Sequence, residues 1–276
     1  MRLIFVPVSN RPECAVALNE AFNLGKHLGA SVKGCHIRLH ETSTVSMPSD
    51  LENVADTDEI QNNNQSAEEM FAKLAQDNGY VFRKKQKSKP VALWSERKGT
   101  PDKVFSITGA VSDLIIVSRP IKEGKSKARQ YMMSAILNSS RPVIILPQLQ
   151  APKIGKTISI AWNQSPQAIK AVAAAMPLLR LAKQVNIITC RPENKSGPKA
   201  KHLMKYLRAW GVKAKHVKST GQNDVQAILN GYMESQSDLL IMGGYSHNRF
   251  KQRIFGGVTE YILNKANIPV FMLHSG

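Results

Sequence analysis

The stretch that decides the reading of this chain is Ile241-Met242-Gly243-Gly244-Tyr245-Ser246-His247-Asn248-Arg249-Phe250-Lys251-Gln252-Arg253-Ile254-Phe255-Gly256-Gly257-Val258-Thr259. An apolar run from Leu239 to Met242 stops at one glycine pair. A polar, basic loop follows, and a second pair opens a helical pattern with Val258, Tyr261 and Ile262 on its apolar side. A strand, a glycine loop, basic side chains and a helix start together suit a phosphate. Glycines let backbone N–H groups approach an anion, and a helix N-terminus adds unpaired donors and a favourable dipole. The competing reading is an ordinary strand-to-helix loop with glycines at its turns. Two glycine pairs flanking Arg249, Lys251 and Arg253 favour phosphate.

Working outward, the motif recurs in weakened form earlier in the chain. Ser112-Asp113-Leu114-Ile115-Ile116-Val117-Ser118-Arg119-Pro120 aligns with Ser237-Asp238-Leu239-Leu240-Ile241-Met242-Gly243-Gly244-Tyr245. Ala135-Ile136-Leu137-Asn138 aligns with Tyr261-Ile262-Leu263-Asn264, and Pro142–Leu146 with Pro269–Leu273. At the front, Pro7–Pro12 aligns with Ala161–Pro166. Such a repeat means two copies of one supersecondary plan. In the first copy strands are expected at 3–8, 32–39, 91–94, 113–117 and 142–146, and helices at about 13–28, 66–78, 101–110 and 131–138. Residues 41–65 are polar, include Asn62-Asn63-Asn64, and read as a loop or insertion, with Ser66 as the cap of the next helix and Glu69 completing a capping box. In the second copy strands are expected at 157–162, 185–190, 213–219, 239–242 and 270–274, with helices at about 166–183, 199–210, 223–234 and 258–265. Alternating strands and helices give two tandem open parallel-sheet α/β sandwiches, Rossmann-like, one over 1–149 and one over 153–276. Ligands in such sheets sit beyond the carboxyl ends of strands where strand order reverses, here between Asn163 and Gly243. Each copy ends in a short apolar strand after a proline, and an unpaired edge of that kind is an aggregation hazard.

Composition narrows the function classes. No apolar run approaches the roughly 20 residues of a membrane span, and the first residues, Met-Arg-Leu-Ile-Phe-Val-Pro-Val, read as a strand rather than a signal peptide. Three cysteines without C-x-x-C spacing, Cys14, Cys35 and Cys190, point to a reducing compartment, so a cytoplasmic location is expected. The net charge of +18 is unevenly shared. Residues 1–150 hold 20 Lys/Arg against 15 Asp/Glu, and residues 151–276 hold 18 against 5. A basic second half prefers anions without choosing among them.

These residues resemble the universal stress protein family, over nearly the whole chain as two tandem domains. The resemblance implies an adenine nucleotide alpha hydrolase-like fold, ATP or another adenine nucleotide as cofactor, and last strands that pair across a two-fold axis, here as an intramolecular pseudo-dimer with a homodimer as a further assembly. The family's phosphate motif, Gly-x2-Gly-x9-Gly then Ser or Thr, falls on Gly243, Ser246, Gly256 and Gly257, with serine at the second glycine and glycine at the hydroxyl position. The family's Asp at the end of the first strand is Asn163 here. Carried across, the nucleotide site comprises Ala161, Asn163, Thr189, Met242, Gly243, Gly244, Ser246, His247, Arg249, Gly256, Gly257, Val258 and Thr259. The first copy is degenerate: Ser118-Arg119-Pro120 stands at the glycine pair, and only Gly124 remains among Lys122, Lys125, Lys127 and Arg129. At most one nucleotide per chain is therefore expected.

Other signals are weaker. The run Arg83-Lys84-Lys85-Gln86-Lys87-Ser88-Lys89 reads as a solvated loop, and with no recognised motif beside it nucleic acid is not an expected partner. Cys35 and His36 point to opposite faces of a strand and cannot share a metal. Cys190 reads as a crevice wall. Acidic residues are scarce in the second half, so no metal is expected and phosphoryl transfer is disfavoured. The leading expectation is a non-enzymatic, stress-responsive sensor or binding module. The alternatives are an interaction protein with a vestigial crevice and a basic partner-binding face, and a slow ATP hydrolase.

Overall fold

A computed structural model describes residues 1–9, 11–38, 57–83, 85, 89–120, 126–148, 153–194, 196–244 and 257–274, with backbone alone for 57–65. The first half runs β1 (Leu3–Val8), α1 (Pro12–Leu28), β2 (Ser31–Arg38), α2 (Thr57–Asp77), β3 (Phe82–Arg83), β4 (Ala92–Lys98), α3 (Pro101–Ile107), β5 (Leu114–Ser118), α4 (Lys127–Asn138) and β6 (Val143–Leu146). The second runs β7 (Thr157–Ala161), α5 (Pro166–Leu179), β8 (Gln184–Thr189), α6 (Ala200–Ala209), β9 (Ala214–Lys218), α7 (Asp224–Glu234), β10 (Leu239–Gly243), α8 (Gly257–Asn264) and β11 (Val270–Leu273). All join one open sheet in the order β3-β4-β2-β1-β5-β6-β11-β10-β7-β8-β9.

Among the described residues every pairing is parallel except one. β6 and β11 run antiparallel, with Val143 opposite Met272, Ile144 opposite Phe271 and Ile145 opposite Val270. The two edges expected to pair do so, and the expected pair of sandwiches becomes one continuous sheet. Helices cover both faces, which is why the central strands are near-continuous apolar runs. On one face α1, α2, α5 and α6 pack over Ile4, Val6, Ile116, Ile144, Ile160, Ile241 and Phe271. On the other α3, α4, α7 and α8 pack over Phe5, Ile115, Val117, Ile145, Leu240, Met242 and Val270. Both apolar layers cross the join without a break.

The repeated Ser-Asp dipeptide has a structural reason. Asp113 Oδ2 accepts hydrogen bonds from the backbone N–H groups of Arg2 at 2.6 Å and Leu3 at 2.9 Å. Asp238 accepts from Gly155 at 2.8 Å and from Lys156 and Thr157 at 2.9 Å. Asp113 ties the start of β1 to the start of β5, and Asp238 ties the start of β7 to the start of β10. These are charge-assisted bonds to donors that would otherwise be left at a strand end.

One expectation needs correction. α2 begins at Thr57, so residues 57–65 are helix rather than loop, and Ser66 lies inside the helix instead of capping it. Asn62-Asn63-Asn64 carries poor helix propensity, and tertiary context overrides it. The remainder of the expected loop, 41–56, lies outside the described residues. Arg119, at the first half's counterpart of the glycine pair, reaches into the second half. It is 4% exposed, and its guanidinium donates to the carbonyls of Ile262 (2.9 Å), Leu263 (3.0 Å) and Ile268 (2.7 Å) in the other half. Those carbonyls are at and just beyond the C-terminal end of α8, where a cation also meets the negative end of the helix dipole. Arg129 adds a bond to Asn264 Oδ1 at 3.0 Å. Burial pulls the Arg119 guanidinium down to about 10, which still leaves it charged at neutral pH.

Replacing Arg119 with Ala leaves three buried carbonyls without donors and is expected to cost at least about 3 kcal/mol in urea unfolding, with Lys restoring only part of it. Glu20 offers a second test. It is buried on α1, accepts from Ile154 N–H at 3.2 Å, and burial pushes its carboxyl up to about 7. Its folded pKa lies above the unfolded value, so stability should fall as pH rises from about 4.5 through 7. Denaturation at pH 5 and pH 8 should show that fall in the wild type and a smaller one in Glu20→Gln.

Candidate functional site

In both halves the strand order reverses beside the first strand, where β1 meets β5 and β7 meets β10. Only the local sequence distinguishes what those two reversal points hold. In the first half, Ser118 at the end of β5 donates its hydroxyl to the Glu13 carbonyl at 2.7 Å. The Cys14 sulfhydryl donates to Pro7 O at 3.3 Å, and Arg119 is turned towards α8. The strand ends are thus closed by their own side chains.

In the second half a cavity of about 670 Å³ opens at the carboxyl ends of β7, β8 and β10. That volume is within the range of small-molecule sites. Ala161, Ile188, Ile228 and Met242 form apolar walls, and Gly243, Gly244, Val258 and Thr259 border it. Asn163 is on the rim. Its Oδ1 accepts from the Ser165 hydroxyl at 2.6 Å and N–H at 3.2 Å, and Ser165 in turn caps α5 by accepting from Ala168 N–H at 3.2 Å. The turn between them places Gln164 at φ 62°, buried, with its amide nitrogen donating to Gly197 O at 3.1 Å.

Six of the expected residues besides Asn163 therefore meet at one cavity: Ala161, Met242, Gly243, Gly244, Val258 and Thr259. Gly257 opens α8 and lines a shallower neighbouring depression with Tyr261. Thr189 does not join them; its hydroxyl is 2.9 Å from His216 Nε2 on β9, a contact between adjacent strands that spacing cannot reveal. Ser246, His247, Arg249 and Gly256 lie outside the described residues.

The first glycine pair has a packing explanation. A Cβ at Gly243 would come within 2.7 Å of Ala168 N, and one at Gly244 within 2.8 Å of Leu273 O. These glycines let β10 approach α5 and β11, so their identity needs no ligand. Their backbone still borders the cavity.

Sequence reasoning missed the polar half of the rim. Arg191, at the end of β8, holds Asp224 at the start of α7 with Nε to Oδ1 at 2.6 Å. Glu193 accepts from the Ala200 N–H and borders the same space. Two acidic side chains thus stand at one site in a half where carboxylates are scarce, because two separate loops deliver them. Among the described residues no group of three or more His, Cys, Asp or Glu is placed to hold a metal. Cys190 is a cavity wall residue, and burial pushes its thiol up to about 11, which disfavours the nucleophilic thiolate. Cys35 lies within the α3/α4 layer, while His36 Nδ1 is 3.1 Å from Val8 O.

Residues 162–274 match the universal stress protein family. This part of the chain is a universal stress protein domain. The whole chain has the fold of a universal stress protein from Archaeoglobus fulgidus DSM 4304, with a TM-score of 0.72 and 16% identity over 99% of this chain and 96% of that one. It is similar also to a functionally unknown protein from Pseudomonas aeruginosa PAO1, with a TM-score of 0.60 and 13% identity over 99% and 92% of the two chains. No curated protein matches the sequence. The universal stress fold thus extends over both halves. Among the described residues no helix is long and apolar enough to cross a membrane.

The packing account of the glycines is testable without ligand. Gly243→Ala should lower thermal stability by about 1–3 kcal/mol, as overpacking does. Gly257→Ala, with open space around its Cβ, should stay within about 0.5 kcal/mol of wild type.

Proposed function

We propose that this protein binds one adenine nucleotide per chain in the cavity of its second half and serves as a binding module in stress response. The family match and the universal stress fold support the stress-response role. The observation that carries the ligand reading is the cavity itself, at the strand-order reversal and bordered by the N-terminal turn of α8. An adenine ring suits the apolar walls of Ile188, Ile228 and Met242. The Asn163 amide on the rim suits a ribose hydroxyl, and the α8 N-terminus suits a phosphate. Arg191 reaches the same rim and would exchange its bond to Asp224 for one to the anion. Catalysis is not part of this reading, since the thiol at Cys190 is neutral and the two rim carboxylates already accept hydrogen bonds.

Heat denaturation of purified protein followed by chromatography of the supernatant should release adenine nucleotide. Calorimetry with ATP, ADP and adenosine on the intact chain should give one site. Ala161→Phe, which fills the cavity, should abolish binding while leaving circular dichroism unchanged. Asn163→Asp keeps the bonds to Ser165 and supplies the charge present in the family's pattern, so ribose-bearing ligands should bind about fivefold more tightly. Two sites per chain, or unchanged affinity in Ala161→Phe, would overturn the assignment.

A further inference from the structure

The far edge of the sheet carries a feature that the nucleotide reading does not use. Between Glu193 and Asp224 the chain holds no acidic residue but eight Lys/Arg: Lys195, Lys199, Lys201, Lys205, Arg208, Lys213, Lys215 and Lys218. Structurally this segment is α6 and β9, and β9 is the terminal strand on the side away from the join. Charged side chains on an edge strand discourage edge-to-edge pairing, which accounts for Lys215 and Lys218. It does not account for α6. That helix buries Leu203 and Leu207 and turns outwards His202, whose Nδ1 accepts the Lys199 N–H, and Tyr206; Trp210, also exposed, caps its C-terminal end, and Lys201, Lys205 and Arg208 lie alongside. Tyr206 is 44% exposed and Trp210 47% exposed. Positions four apart on a helix share a face and rise about 6 Å.

We propose that the outer face of α6, with β9 beside it, binds single-stranded nucleic acid. A ladder of aromatic rings gives successive bases flat surfaces to stack on, and flanking cations follow the phosphate chain. The alternative of an anionic membrane fits less well. A membrane-docking helix presents a continuous face of Trp, Phe and Leu outwards, whereas the leucines of α6 are committed to the core and its outer rings are interleaved with cations. An acidic protein would use the cations but would leave the aromatic ladder without a role. This surface is separate from the run at 83–89, on which the expectation of no nucleic-acid partner rested.

The test uses the full chain and labelled 20-nucleotide oligouridylate and oligodeoxythymidylate, followed by fluorescence anisotropy at several salt concentrations. Binding should weaken steeply with salt. Tyr206→Ala/Trp210→Ala, both exposed positions whose fold is checked by circular dichroism, should lose about tenfold or more in affinity with the salt slope unchanged. Lys201→Glu/Lys205→Glu should lower the magnitude of the slope by about two. Lys73→Glu, an exposed position on α2, is the control for the protein's overall positive charge and should change little. Wild-type affinity in the aromatic variant, an equal loss in the control, or binding to anionic vesicles in place of oligonucleotide would each overturn the proposal.

Discussion

The structure depends on one junction, where β6 and β11 run antiparallel and turn two parallel sheets into one. Three residue pairs make the ladder, Val143–Met272, Ile144–Phe271 and Ile145–Val270. That is a short contact for two halves of this size, and it is reinforced on one side by Arg119. Its guanidinium donates across the join to three carbonyls around the end of α8. A buried arginine without a carboxylate partner is costly unless its donors are used. Here helix-end carbonyls, which themselves lack partners, meet that need, so each group removes the other's penalty. The apolar layers that cross the sheet then make the join a core rather than a seam.

The site follows from the same architecture. A sheet whose order reverses twice offers two crevices, and the chain closes one of them with Ser118 and Cys14 while leaving the other open between Ala161 and Gly243. The difference is local. Position 119 carries an arginine recruited to the join, whereas its counterpart Gly244 has no side chain to send anywhere. Backbone at the two positions is used alike: Arg119 N–H donates to Leu146 O at 3.0 Å, and Gly244 N–H to Leu273 O at 3.1 Å.

Much of this was legible in the sequence, for reasons that can be named. Buried parallel strands must be apolar throughout, so Leu114–Val117 and Leu239–Met242 announce themselves and each other. The Ser-Asp dipeptides that precede them repeat because each aspartate accepts backbone donors from the first strand of its half. Legibility fails where a residue's role is set by a distant partner. The acceptors of Arg119 are more than 140 positions away, so nothing in its neighbourhood announces them. Arg191, Glu193 and Asp224 come to one rim only after folding, so their spacing carried no message. In sequence Gly243 and Gly244 read as open backbone for a ligand, and their packing against α5 and β11 exists only in three dimensions. The first turns of α2 failed for the opposite reason, a local asparagine run that argues against the helix the surroundings impose.

The Arg119 bridge has a consequence for how such a chain can change. In an isologous dimer every substitution occurs twice, once on each side of the axis. An arginine that locks the neighbour's helix would then occupy both crevice mouths, and a glycine that keeps one mouth open would remove both locks. Joining the copies in one chain breaks that coupling. One half is free to specialise as anchor, with Arg119 committed to holding its neighbour, while the other keeps its strand ends open. Covalent linkage thus matters here less as a tether than as permission for the two copies to differ.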